Sequence, residues 1–132
     1  MAETPSKTFS APNAGSDTVY FRAHPRYDAV RVEFDSSASG STSADVEVKI
    51  DSNDEVSEVE SNGFGAMDAS VYTDTGIDAS TGDPTTGTTA VGRVVAVQVS
   101  DTDGGANGTA DGTVYLHPES DPAQNAEAFA NR

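Results

Sequence analysis

The sequence predicts an all-β fold, an antiparallel β-sandwich of jelly-roll type in a single domain. Three observations predict it. Valines and aromatic residues alternate with polar ones at period 2 in several short segments. Polar, glycine-rich turns separate those segments at roughly ten-residue spacing. No strand–helix alternation recurs, which removes the parallel-sheet classes. At 132 residues the chain is long enough for one modest core.

Residues 1–17, with Pro5, Pro12, Gly15 and little apolar periodicity, read as an extended N-terminal arm. A β-sandwich domain is expected over 18–119. Its first strand is Thr18–Ala23, ended by the turn-prone His24-Pro25-Arg26-Tyr27-Asp28. Ala29–Asp35 follows, with Val30, Val32 and Phe34 on one face and Arg31, Glu33 and Asp35 on the other. The serine-rich loop 36–44 leads to Asp45–Asp51, where Val46, Val48 and Ile50 point inward. After a turn at Ser52-Asn53-Asp54, Glu55–Glu60 is expected as a short return strand, although Val56 and Val59 stand three apart.

Gly63 and Gly65 break the chain around Phe64, and Ala69–Thr73 is the next short strand. Residues 74–88 are polar, glycine-rich and long enough to face a partner rather than simply connect. Thr89–Ser100 is the longest apolar run, with Val91, Val95, Val97 and Val99 on one face. Loop 101–112 joins it to Thr113–His117, expected as its antiparallel partner. The tail, 120–132, carries a helix start. Asp121 caps, Pro122 takes the first helical position, and Gln124 completes a capping box. About two turns of helix fit there, and so short a helix needs a surface to lie against.

Composition narrows the function classes. Twenty-two acidic residues face seven basic ones, for a net charge of −15, and Lys7 and Lys49 are the only lysines. At ordinary ionic strength such charge repels itself and destabilises a small compact body. Molar salt shortens the screening length to roughly 3 Å and removes most of that repulsion. The chain is therefore expected to be halophilic. Low apolar content with high charge also marks disorder, but valines alternating in register with polar residues, as at Val30/Val32, Val46/Val48 and Val95/Val97/Val99, argue for a folded core.

No basic stripe exists to displace counterions from phosphates, so nucleic acid is not an expected partner. An anionic membrane surface is disfavoured on the same ground. No run approaches the ~20 apolar residues of a membrane span, and the start of the chain lacks a signal-peptide core, so synthesis and folding in the cytoplasm are expected. With no cysteine, thiolate chemistry and disulfides are excluded.

Candidate chemistry is sparse, and no enzyme is expected. His24 and His117 each precede a proline at a strand end, and neither sits in a pattern that recruits a second ligand or nucleophile. The tyrosines are scattered and there is no tryptophan to stack on a sugar. Loop 101–112 places Asp101, Asp103, Asn107 and Asp111 at spacings that resemble a calcium loop. It departs from the helix–loop–helix pattern at Gly105, Ala106 and Gly112, and its flanks read as strands. A β-hairpin loop with those four oxygen ligands can still hold Ca²⁺, and an acidic glycine-rich turn is the plainer account. Asp51, Asn53, Asp54 and Glu55 form a second such cluster. No other cofactor is implied.

In its acidity, its lysine poverty and the Thr/Gly/Asp loops 74–88 and 101–112, the chain resembles small structural proteins of viruses that infect haloarchaea. Capsid decoration and turret-type proteins are the nearest class. The resemblance implies a β-rich accessory protein of the virion. It would be a homo-oligomer bound to the major capsid protein or another virion protein. No residue roles carry over, because the likeness is one of style along the whole chain. The alternative expectation is a halophilic β-sandwich module recognising glycan or calcium through loops 74–88 and 101–112.

Overall fold

A computed structural model describes residues 5–22, 29–81, 85–88, 94–103 and 108–117. Eight strands form two four-stranded antiparallel sheets. The strands are β1 (Ser6–Ala11), β2 (Ser16–Arg22), β3 (Ala29–Phe34), β4 (Ala44–Asp51), β5 (Ala69–Ile77), β6 (Thr85–Thr88), β7 (Val94–Asp101) and β8 (Ala110–His117). Sheet A runs β1-β8-β3-β6 and sheet B runs β2-β7-β4-β5.

The pairs β1–β8, β2–β7, β3–β6 and β4–β5 are those of one long hairpin folded at the β4–β5 connection. The further pairs β3–β8 and β4–β7 roll that hairpin into two sheets. This is the jelly-roll order, and it fulfils the expected fold class. Consecutive strands mostly cross from one sheet to the other. Thus β8 lies between β1 and β3, not beside β7 as the hairpin expectation had it.

The core follows from period 2. Val30, Val32 and Phe34 of β3 meet Val46 and Val48 of β4, and Val95, Val97 and Val99 of β7 face Val114 and Leu116 of β8. Phe9 and Phe34 close one side edge to face, with centroids 5.6 Å apart and an interplanar angle of 86°. Gly112, opposite both rings in register, makes this close approach. A Cβ there would stand 2.1 Å from the Glu33 carbonyl oxygen and 2.8 Å from the Phe9 ring.

Several expectations change. The stretch expected as an arm is extended, but Ser6–Ala11 is a hydrogen-bonded strand on β8, with Phe9 and Ala11 in the core. Residues 55–60 are not a strand. Val56–Asn62 is a short helix, α1, stopped by Gly63 at φ 97°. The three-residue spacing of Val56 and Val59 puts both on one helical face. That face covers Tyr20, Phe64, Met67, Val94 and Ala96 on the outer side of sheet B.

The strand expected at 69–73 continues to Ile77, and 74–88 contains its end, a 3-10 turn at Ala79–Thr81 and β6. Strand β7 is described from Val94, so Val91 lies outside the described residues, as do the turn at 24–28 and the tail helix expected after Asp121. No described helix is long and apolar enough to cross a membrane.

Candidate functional site

The jelly-roll path brings the β1–β2, β3–β4, β5–β6 and β7–β8 connections to one end of the sandwich, and the four are bonded together there. Among the described residues the buried polar ones are Ser39, Ser41 and Asp101, and all three are at this end. Asp101 is the last residue of β7. Its Oδ2 accepts the Ala14 N–H at 2.7 Å, and its Oδ1 accepts the Ser41 hydroxyl at 2.6 Å and the Asp103 N–H at 3.3 Å. Its own N–H donates to the Gly15 carbonyl at 2.8 Å. Ala14 sits at φ 61°, a left-handed conformation costly for a residue with a Cβ, and the Asp101 carboxylate holds its amide there.

Burial alone would push the Asp101 carboxyl up. The Ala14 amide, the Ser41 hydroxyl and the Asp103 amide and side chain together outweigh it, leaving the group below the usual carboxylate range.

Serine does the rest. The Ser41 carbonyl accepts the Ser80 N–H at 3.1 Å, which ties in the β5–β6 connection. Gly40 and Ser41 both donate backbone N–H groups to the Thr109 carbonyl, at 2.9 and 3.1 Å. Two residues earlier, the Ser39 hydroxyl donates to the Asp111 carbonyl at 2.9 Å and accepts the Asp111 N–H at 2.8 Å. The β3–β4 loop is thus laid across the ends of β7 and β8, with each buried hydroxyl engaged on one strand.

The proposed calcium ligands are placed as follows. Asp101 is buried and committed to protein donors on both oxygens, so a cation there would have to displace N–H and O–H groups. Asp103 is adjacent and accepts the Thr42 N–H at 3.2 Å. The Asp111 carboxylate accepts the Thr109 hydroxyl at 2.7 Å and the Ser10 hydroxyl on β1. Asn107 lies outside the described residues. In the second cluster, Asp51 accepts the Asn53 N–H at 2.9 Å and Asn53 accepts the Glu55 N–H at 2.8 Å, both local turn bonds ahead of α1. Among the described residues no group of three or more acids or histidines is arranged to hold a metal ion.

The reading by spacing named Asp101 and missed Ser39 and Ser41. Their signal was weak, since a run of serines with one glycine reads as a linker.

No protein-family model matches the chain, and no curated protein matches it. Among solved structures it is similar to a carbohydrate-binding module, CBM36, in complex with calcium and xylotriose. The TM-score is 0.42 at 13% identity, covering 87% of this chain and 90% of that chain.

Proposed function

We propose that this chain is a non-catalytic structural component of a virus particle that assembles in molar salt. It would be an accessory protein of the capsid decoration type, associating with its own copies and with a capsid or other virion protein. The observation that supports this best is the jelly-roll order in one small body carrying a net charge of −15. Jelly rolls serve viral capsids and lectins alike, so the fold contributes an analogy. The charge contributes a physical argument. Self-association of so acidic a body requires that its repulsion be screened, as it is in molar salt.

Mass spectrometry of purified particles from a halophilic source tests the placement, with a fixed ratio to the major capsid protein as the expected result. Sedimentation velocity and circular dichroism at molar and physiological salt test the assembly. A discrete β-rich oligomer that dissociates or unfolds in low salt is expected. Absence from particles would sink the virion role. A β-rich monomer indifferent to salt, with saturable heat of binding for calcium or a glycan in molar salt, would replace it with the binding module.

A further inference from the structure

All four sheet edges are blunted, each by a different device. On β1 the Ser10 N–H is taken by the Asp17 carboxylate at 2.8 Å, and on β2 the Tyr20 carbonyl is taken by the Lys7 ammonium. The described β6 edge, Thr85–Thr88, is four residues long. Along β5 the register with β4 slips twice, each time with an extra residue on β5, which bulges and twists that edge. Such devices keep strands from pairing with another molecule, so association between copies falls to a sheet face. The outer face of sheet B is partly covered by α1, which buries Tyr20, Val94 and Ala96. On sheet A the described outward side chains are exposed or half-buried, apart from Ala29 at the start of β3.

We infer that the outer face of sheet A is where two copies of this chain meet across a two-fold axis over Val32, with Arg31 of each copy against Glu33 of the other. The inference rests on the assembly reading above. In register, the centre of the face is the row Ser6, Tyr115, Arg31 and the row Thr8, Thr113, Glu33. These rows carry one cation and one anion, so in a chain of charge −15 this patch repels its own copy little. Arg31 Nε and Glu33 Oε2 lie 2.6 Å apart, with side chains 41% and 45% exposed.

Arg31 and Glu33 stand two apart on one strand, so antiparallel copies of β3 satisfy both pairs at once, as an isologous contact requires. Desolvated pairs are screened by salt far less than exposed ones, and Tyr115 supplies an aromatic anchor in the same row. Four strands of about six residues make a face roughly 15–20 Å on a side, at the small end for a specific interface. The dimer is therefore weak and reversible.

The test is sedimentation velocity on the full chain in molar salt over a range of concentrations. Wild type is expected to show a reversible dimer. Arg31→Glu and Glu33→Arg should each weaken it about tenfold or more, with unchanged circular dichroism, and an equimolar mixture of the two variants should restore it. A wild type that stays monomeric, single variants that dimerise as well as wild type, or a mixture that fails to recover would each overturn the inference. So would a dimer that forms only after residues 118–132 are deleted, which would put the chain's own end on the face. A dimer that behaves as expected in a protein absent from particles would defeat the virion role and leave the face standing.

Discussion

The four-loop end and the helix-covered face of sheet B are closed by opposite means. At the loop end the buried groups are Ser39, Ser41 and Asp101, and the closure is a set of directional bonds between hydroxyls, a carboxylate and backbone amides. Under α1 the buried groups are Tyr20, Val59, Phe64, Met67, Val94 and Ala96, and the closure is contact area. Apolar area is non-directional and can be lost piece by piece. A buried carboxylate is worth holding only while all its donors are in place, because an orphaned donor or acceptor carries the full desolvation penalty. The loop end should therefore open as a unit, whereas the helix should lift without disturbing the sandwich.

The largest effect is expected at the base of the loop end. Gly112→Ala would put a methyl 2.1 Å from the Glu33 carbonyl oxygen, where backbone and not a pliable side chain must yield. We expect a loss of about 3 kcal/mol or more, read as a lower denaturant midpoint in molar salt. A variant of wild-type stability would mean that β8 does not pass between Phe9 and Phe34 at this distance.

Next in size, Asp101→Ala strips the acceptor from Ala14, Ser41 and Asp103 together. A loss of about 2–3 kcal/mol is expected, with amide exchange quickening at Ala14, Gly40 and Ser41 as one set and α1 unaffected. If those amides exchange independently of one another, the loop end is not a unit and the contrast with the helix fails.

The two regions also differ in how far the sequence discloses them. Strands β3, β4 and β7 were legible because alternate valines leave one choice of face. Strand β1 was not, since Phe9 and Ala11 are its only core residues and prolines flank it. Strand β6, Thr85–Thr88, contains no apolar residue at all. Helix α1 was misread although its spacing was visible, because Val56 and Val59 alone do not decide between a ragged strand and two helical turns. What decides is the apolar outer surface of Tyr20 and Val94, which exists only after sheet B has formed.

The loop end was hidden for a related reason. Asp101 stood out by its charge, but its role depends on Ser41, 60 residues away, and that of Ser39 depends on Asp111, 72 residues away. Low sequence complexity around those serines conceals two specific long-range contacts.

A smaller, local effect is expected at the helix. Val59→Ala removes the buried residue of α1 and should cost about 1–2 kcal/mol. Faster exchange should be confined to the amides of Val56–Asn62, because a seven-residue helix has little stability of its own. Spread of that effect to Ser41 or Thr102 would show that the two closures are coupled.

The smallest effect separates the regions by pH. The Asp101 carboxyl lies below its usual range in the folded chain, so its contribution is complete above the unfolded value of about 3.9. It is lost as pH falls through the lower folded value. The Tyr20 hydroxyl is shifted the other way, raised first by burial and then by the Glu60 carboxylate. Its contribution is complete below the unfolded value of about 10 and is lost as pH rises through the folded one.

Acid should thus loosen the amides around Ala14 and Ser41 before those of α1, and alkali should loosen α1 first. Exchange rates followed in molar salt at both extremes would show the crossing. Asp101→Asn should abolish the acid arm and leave the alkaline arm, and Tyr20→Phe the reverse. If both regions loosen together at either extreme, global unfolding sets the exchange. The two closures would then differ in chemistry but not in their independence.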